Sequence, residues 1–231
     1  MIGLALAALA ALAYLGARET SVFAIRTIEV EGASPMLAQQ VRAALQPLDG
    51  ESLLKLHADD VSRLATALPR IESASYDRSF PNTLRVRVEA EQPLAVLRRG
   101  NEWWLVSRRG RVMARLTPRR SAVLPRIWVT KQIDVALGRT LAAGGGSEEL
   151  AALFPLRAAG FRRGVETVRI ATGQVVYVLR GGLELRVGTL GDLPLKLAVA
   201  RQILKQTAVT GYLDVSVPER PVASANPQVS G

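Results

Sequence analysis

The segment that most constrains the fold runs from Arg78 to Ala95 and reads RSFPNTLRVRVEAEQPLA. Within it the apolar residues Leu84, Val86 and Val88 alternate with charged residues, which is the period-two pattern of a strand with one buried face. Pro81 has no backbone N–H to donate to a sheet, so we place it in the turn before that strand. The segment therefore predicts a turn followed by a half-buried strand, and none of its residues indicates catalysis.

The composition limits the possible classes of protein. A chain of 231 residues that is 48% hydrophobic can form one large or two small domains. It has no cysteine, which excludes disulfides and cysteine-based metal sites. The net charge of +10 could attract nucleic acid or an anionic membrane. The arginines are scattered, however, with few aromatic residues nearby, so we expect no nucleic-acid partner.

The first 17 residues carry no charged side chain and consist mostly of Ala and Leu. Their number lies at the lower limit of the roughly 17–25 residues of a membrane-spanning helix. A cleaved signal peptide is the alternative, because Ala11 and Ala13 have the small-x-small spacing, but no basic residue precedes the apolar run. A buried helix is a poorer match, since the segment has no polar face. We favour a transmembrane signal-anchor over residues 1–17, with Arg18 onward on the far side of the membrane.

Between the anchor and residue 93, the pattern predicts a strand, two helices and two further strands. A sheet of three strands can bury one face under two helices and form a small stable domain. A plain α+β domain and an interaction module both agree with these residues. The predicted strands are 25–32, 71–77 and 83–91, and the predicted helices are 34–48 and one that is capped by Asp59 or Asp60 and ends at Pro69.

From residue 94 to residue 217, short apolar runs between turn signals predict a larger, mostly antiparallel β domain with two helices. One predicted helix covers 148–159, and the other begins at Asp192 and ends near Thr210. The last predicted strand is 212–217, and residues 218–231, rich in Pro, Ser, Ala and Asn, predict a disordered tail. The predicted fold class is therefore α+β. The other predicted strands are 94–97, 103–106, 112–116, 127–129, 165–171, 175–180 and 183–187.

No set of residues indicates an enzyme. His57 is the single histidine, and a zinc site there would need at least two more carboxylate ligands. The acidic pairs Asp59/Asp60 and Glu148/Glu149 lie at expected helix N-termini, where they complement the helix dipole. We therefore predict no catalytic, cofactor-binding or metal-binding residue, and no cofactor.

The last predicted strand is a candidate binding element. A terminal strand often lies at a sheet edge, where unpaired N–H and C=O groups allow a partner strand to add. An ordinary edge strand, protected by Pro218 and the charges that follow it, would have the same sequence. The residues alone leave these two interpretations open.

Four segments, in this order and spacing, resemble the FtsQ/DivIB family of bacterial cell-division proteins, and the resemblance extends to about residue 222. That resemblance implies a single-span anchor, a POTRA module over residues 22–93 and a β domain over residues 94–217. It also implies a plasma (inner) membrane protein whose bulk is extracytoplasmic and enriched at the division septum. The four segments are VFAIRTIEVEG (22–32), RSFPNTL (78–84), VEAEQPLA (88–95) and GYLDVSVP (211–218).

The resemblance further implies a divisome scaffold without enzyme activity. Such a scaffold recruits the bitopic partners FtsB and FtsL, with other divisome members as further candidates, and helps to control septal peptidoglycan synthesis. A POTRA-containing chaperone of membrane-protein assembly or secretion is the alternative, but it predicts repeated modules, and the sequence indicates one. In the family, FtsB binds largely by strand addition at the end of the β domain. The corresponding positions here are Tyr212, Leu213, Asp214, Val215, Ser216, Val217, Glu219, Arg220, Pro221 and Val222.

Overall fold

The computed structural model describes residues 21–117, 124–161 and 164–224, together with Gly3. Apart from Gly3, the predicted anchor over residues 1–17 lies outside these ranges. Within the described ranges, no helix is both long enough and apolar enough to cross a membrane. The chain divides into two compact units, residues 1–91 and residues 92–231. Each unit has its own sheet and its own hydrophobic core.

The N-terminal unit is a three-stranded sheet with two helices, in the order of elements that the sequence predicts. The central strand of the sheet is the last in sequence, and it runs parallel to the first strand and antiparallel to the second. The elements are β1 (Thr27–Glu31), α1 (Pro35–Leu45), α2 (Ala58–Thr66), β2 (Ile71–Ser79) and β3 (Thr83–Ala90).

The ends of the two helices follow from local chemistry. Pro35 opens α1, where its fixed φ suits the first turn and its missing N–H costs nothing. The α-helix ends at Leu45 and continues as one 3₁₀ turn over Gln46–Leu48, because Pro47 cannot donate a helical hydrogen bond. The predicted cap of α2 was wrong, since His57 takes the cap position and Asp59 and Asp60 lie in the first turn.

The alternation in β3 builds the core of this unit. Leu84, Val86 and Val88 are all buried, and they belong to one cluster with Val41 of α1 and Val61 of α2. The charged residues between them lie on the other face of the sheet, as a period of two requires. The half-buried strand that the sequence predicts is therefore confirmed.

The C-terminal unit is a nine-stranded mixed sheet with two helices. Its strand order is β12-β11-β10-β9-β8-β7-β4-β5-β6, and five of its eight neighbouring pairs are antiparallel. Its helices are α3 (Ser147–Leu153) and α4 (Leu193–Gln206). Its strands are β4 (Pro93–Arg99), β5 (Glu102–Ser107), β6 (Val112–Leu116), β7 (Arg126–Val129), β8 (Val165–Ala171), β9 (Gln174–Leu179), β10 (Glu184–Gly188), β11 (Tyr212–Asp214) and β12 (Val222–Ser224).

Both helices of this unit are shorter than the sequence predicts. Helix α3 ends at Leu153 rather than at Ala159, because Pro155 lacks the N–H that would continue the helix. Helix α4 ends at Gln206 rather than near Thr210, because the chain becomes extended at the β-branched Thr207. Asp192 does precede α4, but its side chain makes no capping hydrogen bond.

One face of the nine-stranded sheet packs against the two helices. Tyr177 of β9 is fully buried there, in one cluster with Leu153 of α3 and Leu197 of α4. Its phenolic O–H donates a hydrogen bond to the carbonyl oxygen of Ala152 at 2.6 Å, and burial raises the pKa of Tyr177. This contact joins the middle of the sheet to α3.

Candidate partner-binding edge

The nine-stranded sheet ends in two edge strands, β6 and β12, within the described ranges. Another segment covers the start of β6: the N–H of Val112 donates to the carbonyl of Arg139 at 2.9 Å, and the N–H of Gly138 donates to the carbonyl of Val112 at 2.8 Å. At β12 the described residues show no backbone hydrogen bond from Val222 or Ala223 to any segment other than β11. The edge at β12 is therefore the more open one.

The strand that the sequence predicts as the edge lies one position further inside the sheet. Strand β11 pairs in parallel with β10 on one side and antiparallel with β12 on the other. It is also shorter than predicted, because it ends at Asp214, whose carboxylate accepts a hydrogen bond from the backbone N–H of Ser216 at 2.8 Å. The prediction that 212–217 forms the edge was therefore wrong.

A tight turn brings the chain back to form β12. The N–H of Arg220 donates to the carbonyl of Val217 at 3.0 Å, which closes a four-residue turn. Pro218 occupies the second position of that turn, where its fixed φ is favourable. The predicted disordered tail thus includes a strand at 222–224, and the remaining residues 225–231 lie outside the described ranges.

The ten positions implied by the family resemblance divide into three groups by exposure. Leu213 and Val215 are buried in the core, so their side chains cannot contact a partner. Three residues are half-buried: Tyr212, Asp214 and Ser216. Five are exposed and lie on the turn or beside it: Val217, Glu219, Arg220, Pro221 and Val222. Val217 and Val222 are each 53% exposed, which leaves two apolar side chains next to the open edge.

Neighbouring side chains hold the half-buried residues in place. The guanidinium of Arg186 lies 4.2 Å from the centre of the Tyr212 ring, and a cation–π contact of this kind contributes about 0.5–2 kcal/mol. The carboxylate of Asp214 also accepts a hydrogen bond from Ser216 Oγ at 2.6 Å. The end of β11 is therefore ordered up to the turn that leads to β12.

Sequence reasoning missed two residues that shape this edge. Ala223 is the middle residue of β12. The sequence signal for this strand was the run of turn-forming residues Pro218–Pro221, which ends directly before Val222. Gly188 ends β10 with a φ of +67°, and a Cβ built on it would lie 2.9 Å from the Cβ of Ser216. The chain can approach this closely at Gly188 because glycine has no side chain.

The described part of the chain holds no group of three or more side chains that could bind a metal ion. His57 Nδ1 lies 3.9 Å from a carboxylate oxygen of Asp60, and its side chain is 79% exposed. At the start of α3, burial raises the pKa of Glu149, and the neighbouring Glu148 adds to the effect. Of the two edges of the nine-stranded sheet, the one at β12 is the candidate for binding another protein.

Comparison with known proteins shows which proteins the chain is similar to. Residues 23–89 match the POTRA domain of FtsQ type. Relatives called cell division protein FtsQ include that of Streptomyces venezuelae, 25% identical over 88% of this chain and 75% of the relative, and that of Streptomyces griseus, 24% identical over 87% and 97%. The Agrobacterium fabrum protein of the same name is 31% identical over 45% of this chain and 32% of its own length. The POTRA match and these relatives, together with a β domain that follows the POTRA module, support a resemblance of the chain to the FtsQ/DivIB family of bacterial cell-division proteins.

Proposed function

We propose that this protein is a divisome scaffold that recruits FtsB- and FtsL-like bitopic partners to the septum and helps to control septal peptidoglycan synthesis. A single span over residues 1–17 would anchor it in the plasma (inner) membrane, with the bulk of the chain extracytoplasmic. The similarity to proteins called cell division protein FtsQ, and the match to the POTRA domain of FtsQ type, support a role in cell division. The open edge at β12 supports the choice of partner-binding site.

Strand addition at β12 is the binding mode that this edge favours. An extended partner segment would form backbone hydrogen bonds with the outer side of β12 and become the tenth strand of the sheet. Its alternate side chains would then contact one face of the sheet near Val222. The backbone bonds would supply affinity, and the side-chain contacts would supply specificity.

The turn before β12 would add contacts that a three-residue strand cannot supply. Val217 and Val222 are exposed apolar residues that a partner can bury, at roughly 25 cal/mol per Å² of apolar area. Glu219 and Arg220 are exposed and of opposite charge, so they would fix the orientation of a charged partner segment rather than add much affinity. The proposed site therefore comprises the turn and β12, with Tyr212 and Asp214 beside them.

The test is a pull-down with the full chain and the extracytoplasmic segments of the FtsB- and FtsL-like proteins from the same bacterium. Ala223→Pro removes a backbone donor from β12 and should lower capture at least tenfold. Ala223→Ser changes the side chain but keeps the donor, so it should capture within about twofold of the native chain.

Circular dichroism and urea unfolding of both variants would show whether the sheet is intact. Undiminished capture by a folded Ala223→Pro chain would contradict strand addition at β12. Equal loss of capture in the proline and serine variants would show that the side chain, and not the backbone edge, makes the contact.

A further inference from the structure

A groove of about 600 Å³ lies in the C-terminal unit, between the turn that follows α3 and one face of α4. The small residues Ala158, Ala159 and Ala198 line it, together with Arg201 and Lys205. The α4 residues among these are three or four positions apart, so they lie on one face of that helix. The groove is separate in sequence from the edge at β12.

Two exposed large apolar residues are sequence neighbours of residues that line the groove. Phe154 is 41% exposed and directly precedes Pro155, which lines the groove. Leu195 is 53% exposed and directly follows Pro194, another lining residue. The small side chains that line the groove allow an inserted segment to approach closely, and the alanines and prolines among them offer apolar surface to bury.

The two charged side chains among the described residues that line the groove are both basic. Helix α4 contains Lys196, Arg201 and Lys205 and no acidic residue. Lys196 is buried and donates a hydrogen bond to the carbonyl of Thr189, which leaves Arg201 and Lys205 as the basic residues of the groove. No acidic residue is among the described residues that line it. An occupant that carries carboxylates would therefore be attracted and correctly oriented.

The described residues that line the groove belong to a turn and a helix and provide no sheet edge for an extended segment. The turn beside it uses its own backbone donors: the N–H of Ala159 bonds to the carbonyl of Pro155 at 3.0 Å, and the N–H of Phe161 bonds to the carbonyl of Leu156 at 2.8 Å. The other wall is an α-helix, whose backbone groups bond within the helix. A segment that satisfies its own backbone groups, which means an α-helix, fits such a groove.

We propose that the groove binds an acidic amphipathic α-helix of a partner protein. From Pro194 to Lys205 the wall of α4 rises about 17 Å, at about 1.5 Å per residue, so the bound helix has about three turns. Its apolar face packs on the alanines, and its carboxylates pair with Arg201 and Lys205. This second docking surface does not depend on strand addition at β12.

The test is a selection on the full chain in detergent. The probe is a displayed library of 14-residue helical peptides with Leu or Ala at the apolar positions and Glu, Lys, Gln or Ser at the flanking positions. We expect the selected peptides to carry Glu at the flanking positions. Their affinity should fall at least tenfold on Arg201→Glu/Lys205→Glu, and exchanging Glu for Lys in the peptide should restore it. Lys131→Glu/Arg139→Glu, two exposed residues with the same charge change, should leave the affinity within twofold.

Two further variants distinguish the groove from the edge at β12. Ala198→Trp fills the groove and should abolish peptide binding, whereas Ala223→Pro at β12 should not alter it. Selection without a preference for Glu would overturn the proposal, as would peptides that still bind the Ala198→Trp chain. Binding of phosphatidylglycerol vesicles through Arg201 and Lys205, with no peptide selected, would assign the groove to a membrane surface and overturn the proposal as well.

Discussion

At the residue scale, Tyr177 makes a polar contact that joins the sheet core to α3. Its side chain is fully buried, and its hydroxyl satisfies the carbonyl of Ala152 at 2.6 Å. Tyr177→Phe removes the donor and leaves that acceptor without its partner. We expect a loss of about 1–2 kcal/mol in the free energy of unfolding, measured by urea denaturation. Tyr212→Phe, at a half-buried ring, should change it by less than about 0.5 kcal/mol. Equal effects at the two tyrosines would contradict this role of the buried hydroxyl.

Gly188 and Gly173 allow backbone strain to be separated from steric contact. Both have positive φ, +67° and +74°, but a Cβ would meet Ser216 only at Gly188, while Gly173 has open space around it. Gly173→Ala should therefore cost about 1 kcal/mol from φ alone. Gly188→Ala should cost at least about 1 kcal/mol more, because Ser216 must move. If urea denaturation gave the same loss in the free energy of unfolding for both variants, the segment after β11 could shift away from β10 without cost.

At the element scale, the hairpin between β8 and β9 has a turn residue that does not suit its conformation. The two-residue loop Thr172-Gly173 has positive φ at both positions, which is typical of a type I′ turn and favours Asn-Gly. Thr is β-branched and disfavoured there. We expect Thr172→Asn to raise the free energy of unfolding by about 0.5–1 kcal/mol. Thr172→Val, which keeps the branching and loses the hydroxyl, should not raise it. A destabilised Thr172→Asn chain would show that the bond from Thr172 Oγ1 to the carbonyl of Ala171 outweighs the strain.

The sequence predicts elements whose signal is local and misses those set by distant pairing. The alternation of Leu84, Val86 and Val88 identifies β3, because every other residue must face the same core. The end of α3 at Leu153 was also encoded locally, in Pro155, but the apolar spacing that continues beyond it masked that signal. The position of β11 inside the sheet depends on pairing with β12 across a turn. A strand as short as Val222–Ser224 carries too few residues to show a period.

The partner-binding site stays a prediction, and the sequence did not indicate which strand has the open edge beside it. The family resemblance placed it at 212–222, and the exposed residues Val217 and Val222 do lie there. The inward direction of Leu213 and Val215 follows from the same alternation that identifies the strand. Which strand has the open side depends on the order of strands in the sheet, and the period-two pattern of side chains shows which face is buried but not which strands are neighbours.

At the scale of the whole molecule, the two units differ sharply in charge. Residues 92–231 hold 21 of the 30 basic side chains but only nine of the 20 acidic ones, so the positive charge of the protein belongs to the C-terminal unit. Both proposed docking surfaces lie in that unit. Acidic partners would therefore be attracted to it rather than to the POTRA module, and this attraction should weaken as salt is added.

The separate cores predict separate unfolding transitions in the full chain. All three tryptophans, Trp103, Trp104 and Trp128, lie in the C-terminal unit, so their fluorescence reports on that unit alone, whereas circular dichroism reports on both. Val86→Ala removes buried methyl groups from the core of the N-terminal unit and should cost that unit about 2 kcal/mol.

In urea, Val86→Ala should therefore move part of the dichroism transition and leave the fluorescence midpoint unchanged. Tyr177→Phe should have the opposite effect. It should move the fluorescence midpoint, and in the dichroism curve it should move only the transition of the C-terminal unit. The two variants control for each other, because each changes one core. A single transition that both variants shift equally, by both probes, would mean that the units unfold as one cooperative body. In that case partner binding at β12 would stabilise the POTRA module as much as the β domain, since a ligand of the native state stabilises whatever unfolds with its site.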